Sequence, residues 1–442
     1  MARRIGIILM ALALGGLADD ARAASEDELR ERDDRIAELS RKVDVLTEEV
    51  ANLRVQVAVP EETGLESAHG YGPAASKVYG APRGLSIGGY GEANYVNTLG
   101  GNDDGNPTRA DALRTVLYFG YKFSDSILFN SEVEFEHATT EAANNGGEPG
   151  SVSVEFAALD FLWRPEVNAR AGLVLVPMGF LNEVHEPPFF YGVVRPEVER
   201  RILPTTWREN GVGLFGRLGE TLEYRAYVLN GFFAQNFDEE GIREGRQNGN
   251  LALAEDVAFT TRLDWTPEVV PGLLLGGSFY VGNSGQDQTD PTTGIDLPSA
   301  RLWIFEGHAQ YKDGPFHARA LFASSHLSDA RALNVALASP IGEPVADQML
   351  GGYGELAYDV WPWLFGNEAK ALEPFARVEY VDTQHDVPNG YQANHAETGW
   401  FYESGINFYP HPNVVLKLEY QKQNPGSGSN SDALGVGIGF AF

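Results

Sequence analysis

Between residues 85 and 442 the sequence repeatedly changes character at every second position. Leu113, Thr115, Leu117, Phe119 and Tyr121 alternate with Arg114, Val116, Tyr118, Gly120 and Lys122. Successive side chains of a β-strand point to opposite faces, so this spacing predicts strands with one apolar and one mixed face. Ile127, Phe129, Val133 and Phe135 alternate with Asn130, Glu132, Glu134 and Glu136, and Val414, Leu416, Leu418 and Tyr420 with Val415, Lys417, Glu419 and Gln421. About sixteen such segments can be marked. Each is near the roughly 9 to 11 residues that a tilted strand needs to cross a bilayer.

The connections sort into two kinds that alternate. Short turns fall near Ser124, Pro165, Gly219, Asp313 and Pro410, with somewhat longer ones near Val270 and Asn367. Long, polar, glycine-rich loops surround Asp103, Asn145, Glu240, Gln286, Val335, Asn389 and Ser427, besides one from Pro177 to Gly211. Tight turns on one side and long loops on the other are the asymmetry of outer-membrane barrels. The fold expected is therefore all-β, an antiparallel transmembrane β-barrel of about sixteen strands set in outer-membrane lipid. Aromatic residues at strand ends, among them Phe123, Trp163, Trp265 and Trp363, suit girdles at the two bilayer interfaces. The last strand ends on Phe442 and resembles the signal read by the barrel-assembly machinery. Its other face, Gly435, Gly437, Gly439 and Ala441, is expected to leave open space where the last strand meets the first.

The N-terminus has a different grammar. Arg3 and Arg4, the apolar run Ile5 to Leu17 and Ala21-Arg22-Ala23 predict a signal peptide over residues 1–23. Over 25–57, Leu29, Ile36, Val43, Val50 and Val57 occupy one heptad seam position and Leu39, Leu46 and Leu53 the other. This predicts an α-helical coiled coil, hence a homo-oligomer; branched residues at the first position with leucine at the second favour two strands. Residues 58–84, broken by glycine and proline, read as a linker to the barrel over 85–442.

Composition narrows the function. A formal net charge of -29 excludes a nucleic-acid partner, because phosphate binding needs a basic face. Zero cysteines exclude disulfides, thiolate metal sites and cysteine nucleophiles. No nucleophile elbow or zinc-protease helix is present, and no helix follows Gly435–Gly439 to make a dinucleotide loop, so neither enzyme activity nor a cofactor is expected. His308 and His317 fall on facing strands of one hairpin, but lack a third ligand, and Arg319 is expected opposite His308. No metal site is expected there.

The loop over about 177–209 is too long and too charged for a turn, and a loop of that size in a strand protein usually has a job. Folded into the lumen, it would narrow the pore with Glu183, Glu186, Arg195, Glu199, Arg200, Arg201 and Arg208, either as a transverse field or as a salt-bridged knot. Arg114, Lys122, Arg225, Arg262, Arg319, Arg377 and Lys417 are the lumen-wall candidates, offset by carboxylates that include Glu92, Glu132, Glu134, Glu355 and Glu419. A pore selects by such charges at its narrowest point.

The stretch HEPPFFYGVVRPEVERRILPTTWRENGVGLFG, His185 to Gly216, resembles Gram-negative outer-membrane porins, in particular the phosphate-selective porin O and P group and its coiled-coil-bearing relatives. The resemblance implies a trimeric channel for passive diffusion of small hydrophilic, often anionic, solutes, with the coiled coil in the periplasm. This chain departs from the lysine-rich lumens of phosphate-specific members. Its arginines suit organic anions, since guanidinium pairs with carboxylate and phosphate alike. The alternative reading is an envelope anchor, with the coiled coil reaching towards the cell wall.

Overall fold

The computed structural model describes residues 32, 35–47, 65–99, 108–142, 149–366 and 370–442. The chain divides into two units, Met1–Val59 and Pro60–Phe442. In the first, residues 35–47 are helical, and the seam residues Ile36, Leu39, Val43 and Leu46 are all exposed. The rest of the 25–57 segment, except for residue 32, and the 1–23 signal lie outside the described residues.

The second unit is a barrel. Its strands are β1 (Gly84–Leu99), β2 (Arg109–Ser124), β3 (Ile127–Glu136), β4 (Val152–Arg164), β5 (Val167–Leu175), β6 (Arg208–Leu218), β7 (Leu222–Asn230) and β8 (Val257–Trp265). There follow β9 (Leu273–Gly282), β10 (Leu302–Asp313), β11 (Phe316–Leu327), β12 (Gln348–Tyr358), β13 (Ala371–Asp386), β14 (Thr398–His411), β15 (Val414–Pro425) and β16 (Ser431–Ala441). Each strand pairs antiparallel with its sequence neighbours, and β1 closes on β16, with Tyr90 opposite Ala441 and Leu99 opposite Asp432. Closure leaves no unpaired strand edge, which an apolar medium would not tolerate.

The two-residue period sorts the faces as the sequence predicts. Phe119, Leu214, Phe259, Leu356, Leu418 and Ile438 are exposed on the outside, while Val116, Tyr118, Leu321 and Val415 are buried inside. The outside is an apolar band, edged at the short-turn end by Phe123, Trp163, Trp265 and Trp363.

Two segments fill much of the interior. The first lies within the expected linker. From Leu65 the chain turns at the Ala68–Tyr71 bridge and forms one helical turn, α1 (Lys77–Gly80), against the inner wall of β1 to β5. Tyr71 packs its ring 4.5 Å from that of Phe156. Val78 sits on Gly120, where an added Cβ would stand 2.6 Å from its side chain. Asn130 donates to the Ala75 carbonyl at 3.0 Å, and Lys122 to those of Tyr79 and Ala81 at 3.2 Å. Residues 65–83 are thus a docked plug, because wall side chains satisfy a backbone that has no sheet partner of its own.

The second segment, residues 176–207 between β5 and β6, crosses the lumen to β12–β16. There it fills the space expected beside the last strand. Val193 packs on Gly435 and Gly437, and a Cβ on Gly439 would lie only 2.3 Å from Pro187. The glycines are a bed for the loop. On its return the loop joins a large buried apolar cluster with Trp207 near its centre, 4.7 Å from the Phe232 ring and 5.0 Å from that of Tyr280.

Candidate functional site

The crossing loop is held largely through its main chain. Lys417 donates to the carbonyls of Phe190 at 3.1 Å and Gly192 at 2.8 Å, and its ammonium lies over the Phe190 ring. Asn407 reaches the Phe190 carbonyl and Tyr409 that of Pro188. Arg377 donates to the carbonyls of Tyr191 and Val194, while bridging Glu355 at 2.9 Å and Glu403. From the same wall, Glu379 accepts the Val198 N–H at 2.5 Å and Glu419 those of Val193 and Val194. Donors thus face the loop's carbonyls and carboxylates its amides. The helical turn α2 (Glu197–Arg201) caps this contact, with Glu199 accepting from Leu181 N–H at 2.6 Å and Tyr353 hydroxyl at 2.7 Å.

The other wall candidates are similarly occupied. Arg225 and Arg262 share Glu183 and Asp264, and Arg262 also bonds the Gly179 carbonyl. Arg319 donates to Gln310 at 2.7 Å and the Phe189 carbonyl at 3.1 Å. Arg114 bridges Glu92 at 2.9 Å and approaches Glu134 at 3.6 Å. Lys122 holds the plug. The register puts His308 opposite Leu321 and Arg319 opposite Gln310, so the predicted facing of His308 and Arg319 is two residues out. His308 instead bonds Asp264, Glu306 and Arg262 across β8 and β10.

Within the loop, Arg208 returns to the wall, donating to Glu155 at 2.8 Å and Ser153 at 3.2 Å. Glu186 accepts the amides of Ala74 at 2.9 Å and Ala75 at 3.4 Å, tying loop to plug. Burial pushes the Glu186 carboxyl up to about 7, against the pull of those two N–H groups. A raised carboxyl pKa means the docked form holds more protons between pH 4.5 and 7, so docking weakens as pH rises through that window, by up to about 3 kcal/mol. Protease protection of residues 65–83 is therefore expected to be greater at pH 5 than at pH 8. In Glu186→Gln the difference shrinks.

A group of arginines gathers beside the loop. Arg200, half-exposed, and Arg201 share Glu197, and Arg201 also reaches Glu397 at 3.0 Å. The Arg195 Nη2 is buried and has no hydrogen-bond partner among the described residues. Arg243 and Arg246, from the loop after β7, bond only carbonyls, those of Arg200, Thr205, Pro204, Thr206 and Arg243 itself. Burial, with Arg246 and Arg200 close by, lowers the Arg243 pKa to about 9. The sequence reading missed Arg243 and Arg246, because nothing in an outer loop marks which part folds inward. At the short-turn end lies a cavity of about 720 Å³ between plug and loop, lined by His69, Phe180, Tyr191, Arg225, Arg319 and Tyr311 among others.

No family model matches the chain. Over 377 residues it is 37% identical to an uncharacterized protein of Aquifex aeolicus strain VF5, covering 83% of this chain and 82% of that one. The chain belongs to the family of that Aquifex protein. The solved structures similar to this Aquifex-family barrel include Salmonella typhi OmpF in complex with daunomycin, at TM-score 0.53 and 12% identity. The outer membrane channel DcaP of Acinetobacter baumannii matches at TM-score 0.51 and 14% identity. Both matches cover 81% of this chain and 97% of the other. At these identities the likeness is one of fold, a porin-like barrel.

Proposed function

We propose that this Aquifex-family protein is an outer-membrane channel for passive diffusion of small hydrophilic solutes, with anions favoured over cations. The observation that carries the reading is the loop of residues 176–207, which spans the interior of a closed barrel with an apolar exterior and fastens to the far wall. A barrel that only anchored an envelope would have no use for it. Positive charge beside the loop comes from exposed Arg200 and half-buried Arg201, with Arg243 and Arg246 packed behind them and without a carboxylate within bridging distance among the described residues. A guanidinium cluster takes carboxylates and phosphates by paired hydrogen bonds, and a charged constriction sets ion preference. Residues 35–47, with their exposed apolar seam, support a homo-oligomer, and the porin-like fold favours a trimer in the outer membrane with the helix on the periplasmic side.

Purified protein in a planar bilayer tests this. Stepwise conductance is expected, with a reversal potential in a KCl gradient on the chloride side. Replacing Arg200 and Arg201 together by Ala should move it towards potassium. Silent insertions would remove the channel, and a cation-side potential in the native protein would remove the preference alone.

A further inference from the structure

Under the loop, on the wall opposite its anchors, three side chains from three segments converge. Glu132 stands on β3 and faces inward by simple alternation. Glu155 stands on β4, where the register shifts: Glu132 pairs with Phe156 and Val133 with Val154, leaving Glu155 as the extra residue of a β-bulge. Phe156 and Glu155 are consecutive, yet both are buried at 1% exposure. A bulge re-aims a side chain that alternation would send outward, and here it turns a carboxylate inward. His185 comes from the loop. Its Nε2 lies 3.2 Å from Glu132 Oε1 and 3.7 Å from Glu155 Oε2.

We propose that Glu132, Glu155 and His185 bind a single first-row divalent cation, of which Zn²⁺ is the natural probe, and that this ion pins the loop to the β3–β4 wall.

The geometry suits such an ion. The three ligand atoms lie within 4.8 Å of one another. The edge of a tetrahedral zinc site with bonds near 2.0–2.2 Å is roughly 3.3–3.5 Å, close to the two distances from His185. Burying a carboxylate oxygen without a partner is costly, yet Glu132 Oε2 and Glu155 Oε2 have none, and neither does His185 Nδ1. All three residues are at most 2% exposed. Glu155 is oriented from behind, its Oε1 taking Arg208 at 2.8 Å and the Thr206 hydroxyl at 3.0 Å, as ligating carboxylates commonly are. One nitrogen and two oxygens favour zinc, manganese or iron over magnesium or calcium.

The full-length protein, stripped with EDTA and equilibrated with micromolar Zn²⁺, is expected to carry one more equivalent of zinc by mass spectrometry than Glu132→Gln or His185→Gln. Folding of each variant is checked by the heat-dependent gel mobility of the barrel. Zinc should also raise the temperature of the native mobility shift, and should leave that of both variants unchanged. Equal zinc in native protein and variants, or no zinc and no effect of Mn²⁺ in its place, overturns the site and leaves the cluster as a proton-sharing knot.

Discussion

Deleting residues 65–83 is expected to raise single-channel conductance several-fold. The segment occupies the β1–β5 side of the lumen, where Tyr71, Ala74 and Ala75 join Tyr90, Tyr118 and Phe156 in one buried cluster. Arg170 adds to the hold, donating to the His69 carbonyl and the Tyr79 hydroxyl at 3.0 Å while paired with Asp160. Because the segment lies outside the β-ladder, its loss leaves every strand pairing intact. A subtler version is Gly120→Val: its new side chain collides with Val78, so the plug is displaced with the chain length unchanged. Larger conductance steps in the deletion, and unstable intermediate ones in Gly120→Val, are the expected recordings. Steps of native size in the deletion would mean that ions pass elsewhere.

Arg377→Ala is expected to cost about 3–5 kcal/mol, since it leaves Glu355 and Glu403 as buried, uncompensated charges. It also releases the carbonyls of Tyr191 and Val194, so the loop should loosen on the far wall. The loss should appear as a lower urea midpoint, and as channel noise where the native pore is steady. Adding Glu403→Gln removes one of the stranded charges and should restore part of the midpoint but little of the quietness. If Arg377→Ala unfolded like the native protein, the ion network on β12–β14 would have no structural weight.

The same residue shows how far the sequence could be read. Alternation placed Arg377, Arg114, Arg225, Arg262, Arg319 and Lys417 on the inner face, where in the barrel they meet the crossing loop or wall carboxylates. It could not say whether they line water or serve as fasteners. That depends on which segments fold inward and meet them, and partners such as Tyr191 and Arg377 lie 186 residues apart. Glu155 was missed because one inserted residue breaks a count of two. The plug was read as linker because residues 65–83 carry no period, and their order comes from the wall. The misplaced facing of His308 and Arg319 has a related origin: in a hairpin the register follows the turn, and an error of one turn residue shifts the pairing by a whole step.

By itself, then, the sequence determined what is local: the strand count, the apolar exterior, and the sorting of connections into short turns and long loops. Each depends on a period or a turn spanning a few residues. The tertiary structure alone decided the content of the interior, with its plug, the glycine bed on β16, the inward Glu155 and the arginines gathered beside the loop. Those depend on the distances between segments that closure of the barrel brings together, and no local pattern records them.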